Sequence, residues 1–176
     1  MTRTLLASLA ALILVQASAA AADNLASQAS VIDGDTLEMH DTRIRLWGID
    51  APECSQLCRG EDSLRYRCGA KAANGLDTFI AGRPVSSIPI SLDQYRRTVA
   101  TCSVGGTDLA EWLVSQGLAL DWPQYSKGKF DTIHREAEHA GRGMWAGSYV
   151  EPWLYRARIR ARGTPANCSD DANAHP

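Results

Sequence analysis

Short segments in which polar and apolar residues alternate predict five β-strands in this chain. The first two, residues 30–32 and 36–39, are separated by an Asp-Gly turn signal, and a third is predicted over residues 43–49. Residues 85–92 and 97–104 also have strand-like composition. The pattern therefore predicts a β-meander followed by two further strands.

Helical spacing of apolar residues lies between and after these strands. It predicts one helix over residues 69–80, a second over 109–116 that Asp108 caps, and a third over 131–142. This order is typical of an α+β domain in which helices pack against a curled sheet. We expect a five-stranded Greek-key barrel with about three helices.

The two ends of the chain differ in composition from this domain. Arg3, an apolar run over residues 5–15 and small residues up to 22 have the layout of a secretory signal peptide, residues 1–22. The apolar run is too short to span a membrane, although an uncleaved anchor is the alternative. We expect a secreted or periplasmic protein that has no stable membrane association after cleavage.

The expected domain is 23–156, followed by a basic and then polar, disordered tail over 157–176.

Net charge limits the mode of nucleic-acid binding. The chain carries 18 Lys and Arg against 20 Asp and Glu, a formal charge of −2, and 45% of its residues are hydrophobic. These values are typical of one globular domain, which we expect to be monomeric. They argue against coating of nucleic acid by bulk positive charge, but they allow one local cationic site for a phosphate.

Five cysteines become disulfide candidates in an exported protein, and their odd number leaves at least one unpaired within the chain. Sequence alone leaves many pairings open. We favour Cys58–Cys68, because these residues flank a polar loop with little apolar content. Cys102 fits a buried position in a strand. A zinc site at Cys54, Cys58 and Cys68 is the weaker alternative, since it lacks a Cys-x-x-Cys pair.

Candidate chemistry is concentrated near two strand ends. The carboxylates of Asp35 and Asp50 could share one hard cation, because such ions prefer oxygen ligands. Arg45 lies within an apolar strand and needs a partner, for which a phosphate is well suited. Glu53 could take a proton from a water molecule, and Arg97 could approach the same phosphate from another strand.

Each of these residues also has a simpler interpretation. The segment 33–36 has common turn composition, and Arg45 could form a structural salt bridge with Glu53. Arg96 and Arg97 could belong to a solvated turn. The alternating arginines over residues 156–162 could face a phosphate or lie on a solvated tail.

Taken together and in this order, the motifs resemble the staphylococcal-nuclease-like, or thermonuclease, family. The resemblance covers about residues 28–156 of the chain. It is carried by the segments Val31-Ile32-Asp33-Gly34-Asp35-Thr36-Leu37, 43–53, Asp93-Gln94-Tyr95-Arg96-Arg97, 113–119, Gly143-Met144-Trp145 and Pro152-Trp153.

The resemblance implies an OB-type barrel and a hydrolase of phosphodiester bonds, a nuclease that depends on Ca²⁺ and acts on DNA and RNA. Mg²⁺ and Mn²⁺ remain alternatives, since they too favour oxygen ligands. It also implies that the P–O5′ bond is cleaved. The implied roles are metal binding by Asp35, Asp50 and the backbone carbonyl of Ala51, general-base catalysis by Glu53, phosphate binding by Arg45 and Arg97, and nucleotide contact by Tyr95.

The sequence departs from the family pattern at a few positions. Ala51 stands where the family has threonine, and Arg96 stands where it has glycine. Cys54 directly follows the implied base. Two other functions stay open at this point: a weakly catalytic module that binds oligonucleotides, and a nuclease-like protein with a role in the cell envelope or in exopolysaccharide metabolism.

Overall fold

The structure is a computed structural model that describes residues 25–160 of the chain. The predicted signal peptide, residues 1–22, lies outside these described residues, as does the part of the predicted tail from residue 161 onward. Within the described range, no helix has the length and apolar character needed to cross a membrane.

Eleven strands are present in the described part of the chain. They are β1 Leu25–Ser27, β2 Ser30–Asp33, β3 Thr36–Met39, β4 Thr42–Leu46, β5 Ile49–Asp50, β6 Leu57–Arg59, β7 Arg65–Arg67, β8 Val85–Leu92, β9 Thr98–Val104, β10 Thr107–Asp108 and β11 Leu120–Asp121. The helices are α1 Cys68–Ile80, α2 Leu109–Ser115, α3 Pro123–Ser126, α4 Asp131–His139, a 3₁₀ turn Gly143–Ala146 and α5 Pro152–Arg160.

The main sheet contains all five predicted strands, which are β2, β3, β4, β8 and β9. Its order is β1-β8-β9-β4-β3-β2, and β10 pairs with β9. The β4–β9 pair is parallel, and the other pairs of the sheet are antiparallel. The short strands β5 and β11 form a separate pair, as do β6 and β7. The predicted α+β class is therefore confirmed.

The described residues contain five α-helices, two more than predicted. The extra helices are α3 and α5. Helix α3 has four residues and begins at Pro123, so it is too short to produce a periodic pattern. Helix α5 extends to Arg160, so the predicted domain end at residue 156 falls within a helix. The alternating arginines concealed this helix, because a period of two is not helical.

The apolar core lies between the main sheet and helices α1 and α2. Leu76 and Ile80 of α1 are buried against Leu37 and Leu46 of the sheet and Leu113 of α2. Their spacing of four residues places the two α1 side chains on one face. This packing holds the ends of β3 and β4 in fixed positions, and these ends carry the polar residues described below.

The predicted disulfide is confirmed. Cys58 and Cys68 are bonded and lie on the β6–β7 hairpin and at the start of α1. Cys102, predicted to be a small buried residue, is buried and free.

The Cys58–Cys68 bond is expected to stabilise the fold. Replacing both cysteines with alanine should lower the free energy of unfolding by about 3 kcal/mol, because the loop is no longer closed in the unfolded chain. Chemical denaturation measures this loss. Cys102→Ala removes a buried thiol without opening a loop and should cost only about 1 kcal/mol. Equal losses in the two variants would contradict the prediction.

Gly69 allows α1 to approach the segment that carries Glu53. A Cβ atom added at Gly69 would overlap the carbonyl oxygen of Glu53. We expect Gly69→Ala to lower the free energy of unfolding by about 1–3 kcal/mol, since two backbone segments must separate. The control is Gly75→Ala in the same helix, where the added atom meets side chains and no backbone: the end of Leu118 at 2.9 Å and Trp112 at 3.9 Å. Thermal unfolding should show that Gly75→Ala is nearly as stable as the wild-type protein. An equal loss of stability in the two variants would exclude a specific role for Gly69.

Candidate active site

A cavity of about 500 Å³ opens beside the ends of β4 and β5 and the turn between β8 and β9. Its wall combines acidic, cationic and aromatic side chains. They include Asp33, Arg45, Glu53, Tyr95, Arg97, Trp122, Tyr125, Arg156 and Arg160. The structure thus brings Arg45, Glu53, Tyr95 and Arg97 to one cavity, as the sequence predicted.

Asp35 lies in the turn between β2 and β3, where its carboxylate is nearly inaccessible to solvent. Its Oδ1 accepts hydrogen bonds from Arg45 Nη1 at 2.9 Å and from the Thr36 hydroxyl at 3.1 Å. Its Oδ2 accepts the backbone N–H of Ala51 at 3.0 Å. The backbone of the turn is held by Asp33, whose Oδ1 accepts the N–H of Asp35. The Asp-Gly turn therefore serves both the hairpin and the site.

Asp50 ends β5 and is fully buried. Its Oδ1 accepts from Arg45 Nη2 at 2.8 Å and from Arg156 Nη1 at 2.7 Å, and its Oδ2 accepts from Arg156 Nη2 at 2.8 Å. Arg45 therefore bridges Asp35 and Asp50, and the alternative pairing of Arg45 with Glu53 is not found. A single guanidinium thus holds the two predicted metal ligands together.

The acidic side chains of the site affect each other's protonation. Burial raises the pKa of Asp50 to about 6; the charge of Asp35 acts in the same direction and Arg156 and Arg45 oppose it. Burial and the charge of Asp35 also raise the pKa of Asp33 to about 7. Burial would lower the pKa of Arg45, but Asp35 and Asp50 raise it above its usual value. The site therefore favours an added positive charge.

Glu53 follows β5 and lies on the cavity wall with its side chain 25% exposed. Its Oε1 accepts from Arg156 Nη1 at 3.1 Å, and its backbone N–H donates to Oε1 of Gln56. Glu53 is thus more accessible to solvent than Asp35, Asp50 and Asp93, as a base for water activation requires.

Arg97 reaches the same cavity from the other side. Its Nε donates to Asp93 Oδ2 at 2.7 Å, and its guanidinium lies 5.6 Å from the centre of the Tyr95 ring. Asp93 also accepts the backbone N–H groups of Tyr95 and Arg97, which fixes this turn. Arg96 takes the positive φ of 64° that the family's glycine favours. The turn therefore accepts arginine at position 96, although the family has glycine there.

Sequence reasoning missed several residues of the cavity wall. Trp122 lies near both central arginines, with guanidinium-to-ring distances of 5.9 Å for Arg45 and 5.5 Å for Arg156. Arg160 donates to the Tyr95 hydroxyl at 2.9 Å. The arginine repeat was the available signal for Arg156 and Arg160. In a helix these two lie four residues apart on one face, and the exposed Arg158 lies elsewhere.

The donor atoms at Asp35 and Asp50 fit a hard cation. Both carboxylates are buried and share Arg45 as an ion-pair partner, and Asp50 also pairs with Arg156. Burial keeps the pKa of Asp50 raised despite these two arginines, so further positive charge would stabilise its ionised form. Within residues 25–160, however, no three His, Cys, Asp or Glu side chains form a metal cage by themselves. The remaining oxygen ligands would come from backbone, water or substrate.

Comparisons with known proteins agree with this geometry. A sequence model described as staphylococcal nuclease homologue matches residues 43–147, which is more than half of the chain. The chain is 41% identical over 146 residues to the succinoglycan biosynthesis protein ExoI of Rhizobium meliloti, covering 82% of this chain and 76% of that protein.

Two further relatives carry nuclease names. An uncharacterized endonuclease of Escherichia coli O157:H7 is 30% identical over 135 residues, which cover 73% of this chain and 82% of that protein. The probable staphylococcal-like nuclease CAN3 of Oryza sativa is 34% identical over 116 residues, which cover 65% of this chain but 28% of that protein. The predicted family and its OB-type fold are therefore confirmed. The chain belongs to the staphylococcal-nuclease-like family of phosphodiester hydrolases.

Proposed function

We propose that this protein is a secreted or periplasmic, metal-dependent nuclease that hydrolyses phosphodiester bonds in DNA, RNA or both. One observation carries the proposal: Arg45 bridges two buried carboxylates at the wall of a cavity that also holds Glu53. Membership of a nuclease family and the relatives named as nucleases support it.

The cavity wall suits a nucleic-acid strand. Arg45 and Arg97 present planar cations, which match phosphate oxygens in a bidentate way. Tyr95 and Tyr125 present exposed aromatic surface on which bases can stack. This local arrangement allows a chain with net negative charge to bind a polyanion at one site.

In the proposed reaction, a water oxygen attacks the phosphorus and Glu53 takes the proton that this water loses. The P–O5′ bond breaks, and the 5′ oxygen leaves with a proton taken from solvent. Negative charge grows on the non-bridging phosphate oxygens during the attack, and Arg45 and Arg97 donate hydrogen bonds to them. The preset charges therefore stabilise the transition state more than the bound substrate.

The metal of this proposal is Ca²⁺, although Mg²⁺ and Mn²⁺ have similar ligand preferences. Asp35 and Asp50 would hold it, with the backbone carbonyl of Ala51 as a further oxygen ligand. A bound divalent cation supplies positive charge close to the phosphate. Arg45 pairs with both of these carboxylates, and Arg156 pairs with Asp50.

Export is the second part of the proposal. The Cys58–Cys68 disulfide supports it, since such bonds persist in oxidising compartments. The signal-peptide pattern of residues 1–22 supports it as well.

Hydrolysis of single-stranded DNA and RNA by purified protein tests the proposed activity. With Ca²⁺ present, Glu53→Gln, Arg45→Ala and Arg97→Ala should each lower the rate by roughly 10²–10³-fold, as expected for loss of a group that acts in the transition state. A chelator should abolish cleavage by the wild-type protein.

Glu38→Gln and Arg43→Ala are matched controls, because these residues form an ion pair at the surface away from the cavity. They should retain wild-type rates. Arg45→Ala leaves two buried carboxylates without this partner and should lower the melting temperature, so rates are compared per folded molecule at a temperature where thermal unfolding shows every variant to be folded. Rates in the three site variants equal to those of the controls would disprove the assigned roles. No cleavage by folded wild-type protein with Ca²⁺, Mg²⁺ or Mn²⁺ would disprove the nuclease proposal.

Metal binding should be measurable without substrate. Ca²⁺ at about a hundred times its Kd should raise the free energy of unfolding by about 2.7 kcal/mol, because it binds only the folded protein. Asp35→Asn should remove this stabilisation. Asp77→Asn makes the same charge change on the exposed side of α1 and should keep it. If Ca²⁺ stabilised both variants equally, its site would lie elsewhere.

A role in exopolysaccharide metabolism is the second candidate function. It is favoured by the 41% identity to a protein named for succinoglycan biosynthesis. Incubation of one preparation with DNA, RNA and an acidic bacterial exopolysaccharide separates the two. Depolymerisation of the polysaccharide with no nucleic-acid cleavage would establish the second function and overturn the first.

A further inference from the structure

Arg156 contacts both acidic residues on which the proposed reaction depends. Its Nη1 lies 2.7 Å from Asp50 Oδ1 and 3.1 Å from Glu53 Oε1, and its Nη2 lies 2.8 Å from Asp50 Oδ2. Its side chain is 19% exposed, similar to the 15% of Arg45. In contrast, the ion pair of Arg97 is with Asp93, outside this cluster.

We propose that Arg156 is a positioning residue that orients the Glu53 carboxylate for proton transfer. The inference rests on the proposed nuclease function. One guanidinium nitrogen is shared between Asp50 and Glu53, so it draws two carboxylates of like charge together. Within the described residues, Glu53 Oε2 has no hydrogen bond that competes with a water molecule. Arg156 therefore fixes one oxygen of Glu53 and leaves the other open.

Helix α5 is attached to the segment that carries Glu53, which gives Arg156 a fixed position. The Tyr155 hydroxyl lies 3.1 Å from the Ser55 hydroxyl, and Gln56 Nε2 donates to the carbonyl of Val150 just before the helix. Both partners lie within three residues of Glu53 in sequence.

An aromatic stack fixes the other side of the helix. Trp153 stacks on Trp122 with a centroid distance of 6.1 Å, and Arg156 lies over the same Trp122 ring at 5.5 Å. The guanidinium is thus held between an aromatic surface and two carboxylates. Such support from neighbouring groups keeps a functional side chain in its productive geometry.

Without Arg156, Glu53 would lose its ion pair and would be repelled by Asp50. Its partly exposed side chain could then adopt several rotamers, and few of them would present the carboxylate to the attacking water. Misplacement of a reacting group lowers the rate of the chemical step while substrate binding persists.

The test compares steady-state cleavage of single-stranded DNA by full-length Arg156→Gln, Arg156→Lys and Arg158→Gln with that of wild-type protein. Arg156→Gln should lower kcat by about 10- to 100-fold and change KM by less than about threefold. Arg156→Lys should recover part of the loss, since it keeps the charge without the planar fork. Arg158 is exposed on the same helix, and its variant should match wild type.

A double-mutant cycle with Glu53→Gln shows whether Arg156 acts through Glu53. In that background, Arg156→Gln should change the residual rate by less than about threefold, because the base it orients is already absent. A full multiplicative loss would overturn the inference, as would a rise in KM at unchanged kcat. The latter would make Arg156 a substrate ligand.

The remaining outcomes separate this inference from the function on which it rests. Active wild-type protein with Arg156→Gln indistinguishable from Arg158→Gln would overturn only the role of Arg156. A lower melting temperature with normal kcat per folded molecule would do the same, since it indicates a structural role. Absence of cleavage by folded wild-type protein would overturn the proposed function and this inference together.

Discussion

The site depends on one constraint: two buried carboxylates must be neutralised together. Asp35 and Asp50 come from a turn and a two-residue strand, and the Arg45 guanidinium between them contacts both. Loss of one partner in such a buried arrangement leaves an uncompensated charge, which is strongly destabilising. The β2–β3 turn, β4 and β5 must therefore lie where Arg45 can contact both carboxylates. The same requirement places two buried carboxylates directly behind Arg45, which lines the cavity.

Arg45 does not fully neutralise the buried carboxylates. The charge that remains affects the stability of the fold and also favours the binding of a cation. Burial and like charge raise the pKa of Asp50 and of Asp33 despite the nearby arginines. A fully compensated cluster would favour the ionised carboxylates instead. Arg156 already supplies a second guanidinium to Asp50, and the pKa of Asp50 stays raised beside it. The proposed Ca²⁺ would add positive charge at Asp35 and Asp50 and so relieve the remaining imbalance.

Local patterns in the sequence were sufficient for five of the seven strands of the main sheet and for the site residues that lie close together along the chain. They missed the short strands β5, β6, β7 and β11 outside that sheet. Asp35 and Asp50 lie near strand ends, ten and five positions from Arg45, so alternation and turn chemistry already indicate that the three converge. The Asp50–Arg156 pair spans 106 positions and leaves no such local trace. The repeat of arginine at every second position was interpreted as facing a phosphate or as part of a solvated tail. Arg156, Arg158 and Arg160 lie in helix α5, which also packs Trp153 on Trp122. Such tertiary contacts are not visible in a local pattern.

The extent of the family match gives Arg156 further significance. The match ends at residue 147, whereas helix α5 begins at Pro152. Asp50 and Glu53 lie inside the matched segment, but their shared partner lies beyond it. Removal of α5 would leave Asp50 with Arg45 as its ion pair and Glu53 without the one it has in the described structure. The charge balance of the site thus includes Asp35 before the matched segment and a helix after it.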